Sequence, residues 1–138
     1  VTNSPTYVLD SYALLAYLNN EPGGKRVQEV LELSEEHKCR LVMSLINLGE
    51  VLYITERARG LPAAQTVQAL VECLPIELLE VDRDLILEAA HIKAAHPLSY
   101  ADAFAVAAAT RDKAIILTGD PEYRAVEALV AVEWLVYR

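Results

Sequence analysis

LSYADAFAVAAATRDKAIILTGD, residues 98–120, places two carboxylates where a packed element ordinarily carries an apolar or neutral side chain. Ser99 is positioned to cap a helix, and Asp102 three residues later completes an S-x-x-D capping box. Residues 103–109 follow with no polar face, so this helix must be buried almost all round. Lys113 ends it. Residues 114–117, AIIL, form the short continuous apolar run of a buried parallel strand, and Thr118-Gly119-Asp120-Pro121 leaves that strand as a turn. Asp120 therefore falls at the carboxyl end of a strand, where ligands bind in open α/β sheets.

Working outward, the same alternation recurs. Residues 7–9 read as a strand that ends at Asp10, with a helix over 11–19 that is broken by Glu21-Pro22-Gly23-Gly24. An amphipathic helix over 25–37 turns Val27, Val30 and Leu31 inward, and residues 40–43 form the second strand. Ser44 caps a helix whose apolar stripe is Leu45, Leu48, Val51 and Leu52, and Gly60 ends it. A helix over 62–73, a third strand over 76–81 and a helix that Asp82 and Asp84 start and that runs to about Ala95 lead to the central stretch. A short helix over 121–128 and a last strand over 132–137 complete the chain. Strands separated by helices predict one α/β domain, a parallel sheet with helices on both faces.

Composition narrows the function. A chain of 138 residues, 54% of them hydrophobic, is long and apolar enough to bury a full core. The net charge of −8, from 20 acids against 12 Lys and Arg, argues against loose nucleic-acid binding through a basic surface. It suits a cation-dependent site or a basic partner. Cys39 and Cys73 lack metal-ligand spacing and lie beside apolar residues, as expected of reduced core or boundary cysteines in an intracellular, cytoplasmic protein. No apolar run exceeds seven residues, too few for a membrane span, and the amino end lacks the positive flank of a secretory signal.

Four acids hold unusual positions: Asp10 at a strand end, Glu50 within a helix, Asp102 at a helix start and Asp120 after another strand. Singly, Asp10, Asp102 and Asp120 could each be a helix cap. Glu50 is different, because its helical neighbours are Ile46, Asn47, Tyr53 and Ile54, and a Glu bordering that apolar side needs a partner. In a parallel sheet the strand ends after Asp10 and Asp120 open on one edge, within reach of the helix starts that carry Asp102 and Glu50. Two like charges at 4 Å repel by roughly 1 kcal/mol in water and about 4 kcal/mol at an effective dielectric of 20. Four together would not persist for stability alone. An all-carboxylate set suits Mg²⁺ or Mn²⁺, and a metal so held can activate water and neutralise a phosphate. Thr118 and Ser11 could orient these acids or contact phosphate, or serve only as turn and cap. His91 and His96, five residues apart, share no helical face and read as surface or capping residues.

The segments YVLDSYALLAYL, INLGEVLY, SYADAFAVAAA and ILTGDPEYRAVE, in this order and spacing, resemble the PIN domain, and more narrowly the VapC toxins of type II toxin-antitoxin systems. The resemblance spans essentially the whole chain, residues 1–138. It implies a five-stranded parallel, Rossmann-like sheet and an endoribonuclease dependent on Mg²⁺ or Mn²⁺. The family's acidic quartet falls on Asp10, Glu50, Asp102 and Asp120, and its Ser/Thr before the last acid falls on Thr118. It further implies a homodimer, silenced by a small VapB-like antitoxin whose carboxyl-terminal segment lies across the site. RNA would then enter along a local groove, for which Arg57, Arg59, Lys93, Arg111, Lys113 and Arg124 are candidates. Two other readings stay open: a PIN-like module that binds a basic protein segment without turnover, and a phosphoryl-accepting receiver-like domain. The latter would want adjacent acids after the first strand and a Lys after a late one; Ser11 follows Asp10, and no Lys follows Lys113.

Overall fold

A computed structural model describes residues 4–135. The elements in chain order are β1 (Thr6–Leu9), α1 (Ser11–Leu18), α2 (Gly24–Glu35), β2 (Arg40–Ser44), α3 (Leu45–Arg59), α4 (Leu61–Cys73), β3 (Glu77–Leu79), α5 (Arg83–Ala95), α6 (Tyr100–Asp112), β4 (Ile115–Thr118), a 3₁₀ turn (Pro121–Val126) and β5 (Ala131–Trp134). The five strands pair in the order β3-β2-β1-β4-β5, and every pairing is parallel. The expected α/β class and five-stranded parallel sheet are present.

Alternation along the strands sorts the core into two layers, since successive side chains leave opposite faces of a sheet. Val8, Val42 and Ile116 face the layer built on α5, α6 and the 3₁₀ turn. Tyr7, Leu9, Leu41, Met43 and Leu117 face the layer of α1 to α4. The helix expected to be buried all round is so: Asp102 to Ala109 are eight consecutive buried residues, and α6 packs on β1, β2 and β4 and against α3 and α5. Its alanines permit that approach, because bulky side chains would hold the helix off its neighbours. Lys113 ends α6 in the left-handed conformation (φ 52°) and turns the chain into β4.

Several boundaries differ from the sequence reading. The third strand is Glu77–Leu79 and not 76–81, because it is an edge strand that pairs only with β2. The short helix over 121–128 is a 3₁₀ turn over Pro121–Val126. The last strand is Ala131–Trp134, not 132–137, and positions 136 and 137 lie outside the described residues. Cys39 is buried as expected, whereas Cys73 is exposed at the end of α4, its apolar sequence neighbours turned elsewhere. His96 caps α5, with Nδ1 3.0 Å from the Ile92 carbonyl oxygen. No described helix is long and apolar enough to cross a membrane.

Candidate active site

The chain winds from β1 out to β3, then returns to β4 on the other side of β1 and continues to β5. The reversal between β1 and β4 is the switch point at which α/β sheets open a crevice beyond their carboxyl ends. Asp10 directly follows β1, and Thr118 and Asp120 lie at the end of β4. An open pocket of about 300 Å³ sits here, lined by Asp10, Ser11, Tyr12, Leu15, Glu50, Ile54, Ser99, Asp102, Asp120 and Glu122. The four acids singled out in the sequence are together in it. A fifth, Glu122, joins them, and no Lys, Arg or His is among the lining residues.

Asp10 is the most deeply placed, 1% exposed. One oxygen accepts from the Ala13 N–H at 2.8 Å, so the residue does cap α1, and the other accepts from the Thr118 hydroxyl at 2.5 Å. Thr118 in turn accepts from the Asp120 N–H at 3.0 Å, which links the two strand ends through one hydroxyl. Burial, aided by the Asp102 and Asp120 charges, outweighs these hydrogen bonds and raises the Asp10 carboxyl to about 7.

Asp102 is also buried. Ser99 caps α6 by accepting from the Asp102 N–H at 3.1 Å, but the reciprocal half of the expected capping box is replaced: the Ser99 N–H donates to Glu122 Oε1 at 3.3 Å. Asp102 Oδ1 instead accepts from the Tyr123 hydroxyl at 3.0 Å. Burial raises the Asp102 carboxyl to about 6, opposed by the Tyr123 hydrogen bond and aided by the nearby Asp120 and Glu50 charges. The Tyr123 hydroxyl, itself fully buried and facing Asp10 and Asp102, is pushed well above its ordinary range, so it stays a donor. Asp120 caps the 3₁₀ turn through the Glu122 N–H at 2.9 Å.

Carboxylate oxygens of Asp102, Asp120 and Glu122 lie within 4.8 Å of one another. Asp10 and Glu50 line the pocket beside this trio, and Glu50, half-buried, is held there by α3 and faces other acids rather than a basic partner. The donor set is hard oxygen throughout and carries no internal countercharge, which fits a hard divalent cation.

Three contributors were not apparent in the sequence. Glu122 and Tyr123 sit on a 3₁₀ turn, whose three-residue period differs from the 3.6 period by which helical faces are read. Asn47, buried on α3, donates from Nδ2 to the Ala101 carbonyl oxygen at 3.1 Å. The signal available for Glu122 was its place two residues after Asp120, in the first turn beyond an Asp-Pro cap.

Gly119 lies close against a neighbouring ring. It lies between Thr118 and Asp120, and a Cβ there would overlap the Tyr12 ring. Gly119→Ala should therefore cost about 1–3 kcal/mol, as overpacking does, and that cost should largely vanish in a Tyr12→Ala background. A denaturant-unfolding double-mutant cycle measures the coupling; an equal cost in both backgrounds would show that the ring is not the obstacle.

Comparison with known proteins agrees with this architecture. The structure superposes on VapBC from Salmonella typhimurium, solved bound to DNA, with a TM-score of 0.73 at 17% identity, covering 96% of this chain and 99% of that one. For VapBC2 from Rickettsia felis, bound to a promoter DNA fragment, the TM-score is 0.71 at 12% identity, with 95% and 99% covered. Mycobacterium tuberculosis VapC20, described as a sarcin-ricin loop cleaving toxin, gives 0.68 at 18% identity, with 87% and 94% covered. These identities speak for the fold. No match was found among curated protein sequences. A family model of the PIN domain matches residues 7–129, a span that contains all five pocket carboxylates, the whole of β4 and all of β1 but its first residue, and the chain belongs to the PIN domain family.

Proposed function

We propose that residues 1–138 act as a single PIN domain, a VapC-type toxin that hydrolyses RNA phosphodiester bonds as a Mg²⁺- or Mn²⁺-dependent endoribonuclease. The observation that carries this reading is a pocket at the sheet's switch point lined by five carboxylates and no cationic side chain. The capping bonds of Asp10 and Asp120 account for single members and not for the group, whose members repel one another and of which Asp10 and Asp102 are buried. Asp10, Glu50, Asp102 and Asp120 would hold the metal, with Glu122 at hand to contribute. Bound there, a divalent cation supplies charge neutralisation at a phosphate and a lowered pKa for water.

The chain's own residues do the rest. Thr118 fixes Asp10 and the Asp120 backbone in one hydrogen-bonded run, and Tyr123 fixes Asp102. These bonds hold the carboxylates oriented before any ligand arrives, so little reorganisation is left for the reaction. Without a cation the pocket would repel a phosphate, so RNA binding and metal binding are coupled.

The VapBC relatives motivate the partners. A small VapB-like antitoxin with a basic segment would complement the acidic pocket and a net charge of −8. A homodimer and a cytoplasmic location complete the reading.

Protein freed of antitoxin, incubated with a pool of cellular RNAs, should produce discrete cuts with Mg²⁺ or Mn²⁺, none with chelator, and none from Asp102→Asn protein. Cuts that survive the chelator or the substitution would refute the mechanism. No cuts from folded, inhibitor-free protein under either metal would favour a PIN-like module that binds a basic segment without turnover.

A further inference from the structure

Three of the pocket carboxylates stand on or beside three different helices: Asp10 before α1, Glu50 on α3 and Asp102 on α6. One buried side chain on α3 hydrogen-bonds to a residue of each of the other two helices. Asn47, 0% exposed, lies one turn before Glu50 on α3. Its Nδ2 donates to the carbonyl oxygen of Ala101, next to Asp102, at 3.1 Å, and to the hydroxyl of Ser11, next to Asp10, at 3.4 Å. The Ser11 hydroxyl donates in turn to the backbone carbonyl oxygen of Asn47 at 3.1 Å. The Ala101 carbonyl oxygen can only accept, and this fixes the amino end of the amide as the one that faces it. Asn47 Oδ1 is then left buried with no hydrogen-bond partner among the described residues.

A position filled for packing alone would carry an apolar side chain, which leaves no buried acceptor unsatisfied. We infer that Asn47 is a positioning residue, a polar node that sets the mutual placement of Asp10, Glu50 and Asp102 for the divalent cation. The inference rests on the metal-dependent reading above and deepens it. Each hydrogen bond of the node ends on a residue adjacent to a carboxylate or on the turn that precedes one, so a shift of any of the three helices changes the spacing of the oxygens. Asn47 touches neither metal nor RNA. It acts through Ser11, Ala101 and its own helix.

Mn²⁺ binding, followed by the loss of the free-ion electron paramagnetic resonance signal, tests this without reference to RNA cleavage. Asn47→Leu fills the site with an apolar side chain of similar size, and should weaken Mn²⁺ binding by about 10- to 100-fold, as loss of a residue that orients metal ligands does. Ser11→Ala cuts the node from its other end and should weaken Mn²⁺ binding in the same direction, by about tenfold. Val71→Ala, a buried apolar truncation on α4, controls for lost stability and should leave Mn²⁺ affinity unchanged. A folded Asn47→Leu protein within twofold of the parent would overturn the inference, as would Val71→Ala weakening the metal equally. If Asn47→Leu does not fold, Ser11→Ala decides, and unchanged affinity there overturns it. A parent that binds no Mn²⁺ overturns both this inference and the metal-dependent function, whereas a parent that binds Mn²⁺ without cutting RNA overturns only the function.

Discussion

Asp10→Asn protein in chelator at pH 8 should resist denaturant better than the parent, while its cleavage of RNA with Mg²⁺ or Mn²⁺ falls about 100-fold or more, the equivalent of several kcal/mol of lost charge stabilisation. The two effects have one cause. Burial raises the Asp10 carboxyl to about 7, against a usual value of 3.8, so at pH 8 the folded protein must ionise a group that its interior disfavours. A shift of that size corresponds to roughly 4 kcal/mol. Asn removes the charge and keeps the shape. It is also among the best helix caps, so the bond from the Ala13 N–H survives. The Thr118 hydroxyl loses its charged acceptor, which offsets part of the gain, and a net stabilisation of about 1–3 kcal/mol is expected. Urea unfolding in chelator, paired with cleavage assays in metal, measures both. A destabilised Asp10→Asn protein would mean that the carboxylate is kept for the fold, and undiminished cleavage would remove it from the chemistry.

The metal-free protein should lose stability as pH rises from about 4 to 7 and hold level above that. Asp10 and Asp102 are both raised, to about 7 and about 6, from an ordinary value of 3.8. Below pH 4 they are protonated in the folded and unfolded chains alike, and their favourable contribution is fully present. Between pH 4 and 7 the unfolded chain ionises first, so the folded state binds more protons and stability falls with pH. Asp10 dominates, being the more buried of the two. Glu77, held below its usual range by the Arg40 guanidinium, acts with the opposite sign but only below its ordinary 4.5, at the lower edge of this window. A divalent cation should reverse the slope, because it competes with protons for the same oxygens and binds the folded state only. Metal at 100 times its dissociation constant adds about 2.7 kcal/mol. Thermal or urea unfolding at several pH values, with chelator and with Mn²⁺, tests the profile. A metal-free protein equally stable at pH 5 and pH 8 would contradict the raised carboxyls.

How much of this could be read from the chain depends on which interactions are local. The buried helix α6, the capping roles of Ser44, Ser99, Asp10 and Asp120, and the apolar runs of β1 and β4 follow from neighbours within one helical turn or a few strand residues. The sequence also determined that Asp10 and Asp120 lie at strand ends, and that Glu50 sits where a solvated Glu would not. Parallel topology then carries such residues to one edge.

Only the tertiary structure decided how the carboxylates are held. Tyr123 reaches Asp102 across 21 residues, Thr118 reaches Asp10 across 108, and Asn47 joins Ser11 and Ala101 across 36 and 54. No period or cap rule links positions so far apart. The same holds for the Ser99 N–H, which sequence proximity assigned to Asp102 and which folding gives to Glu122, because the 3₁₀ turn after β4 brings that carboxylate to the start of α6. Residue type and local pattern settled where the acids stand on their elements. The packing of α3, α6 and the 3₁₀ turn settled their partners, since a buried polar group takes whatever hydrogen-bonding atom the fold sets beside it.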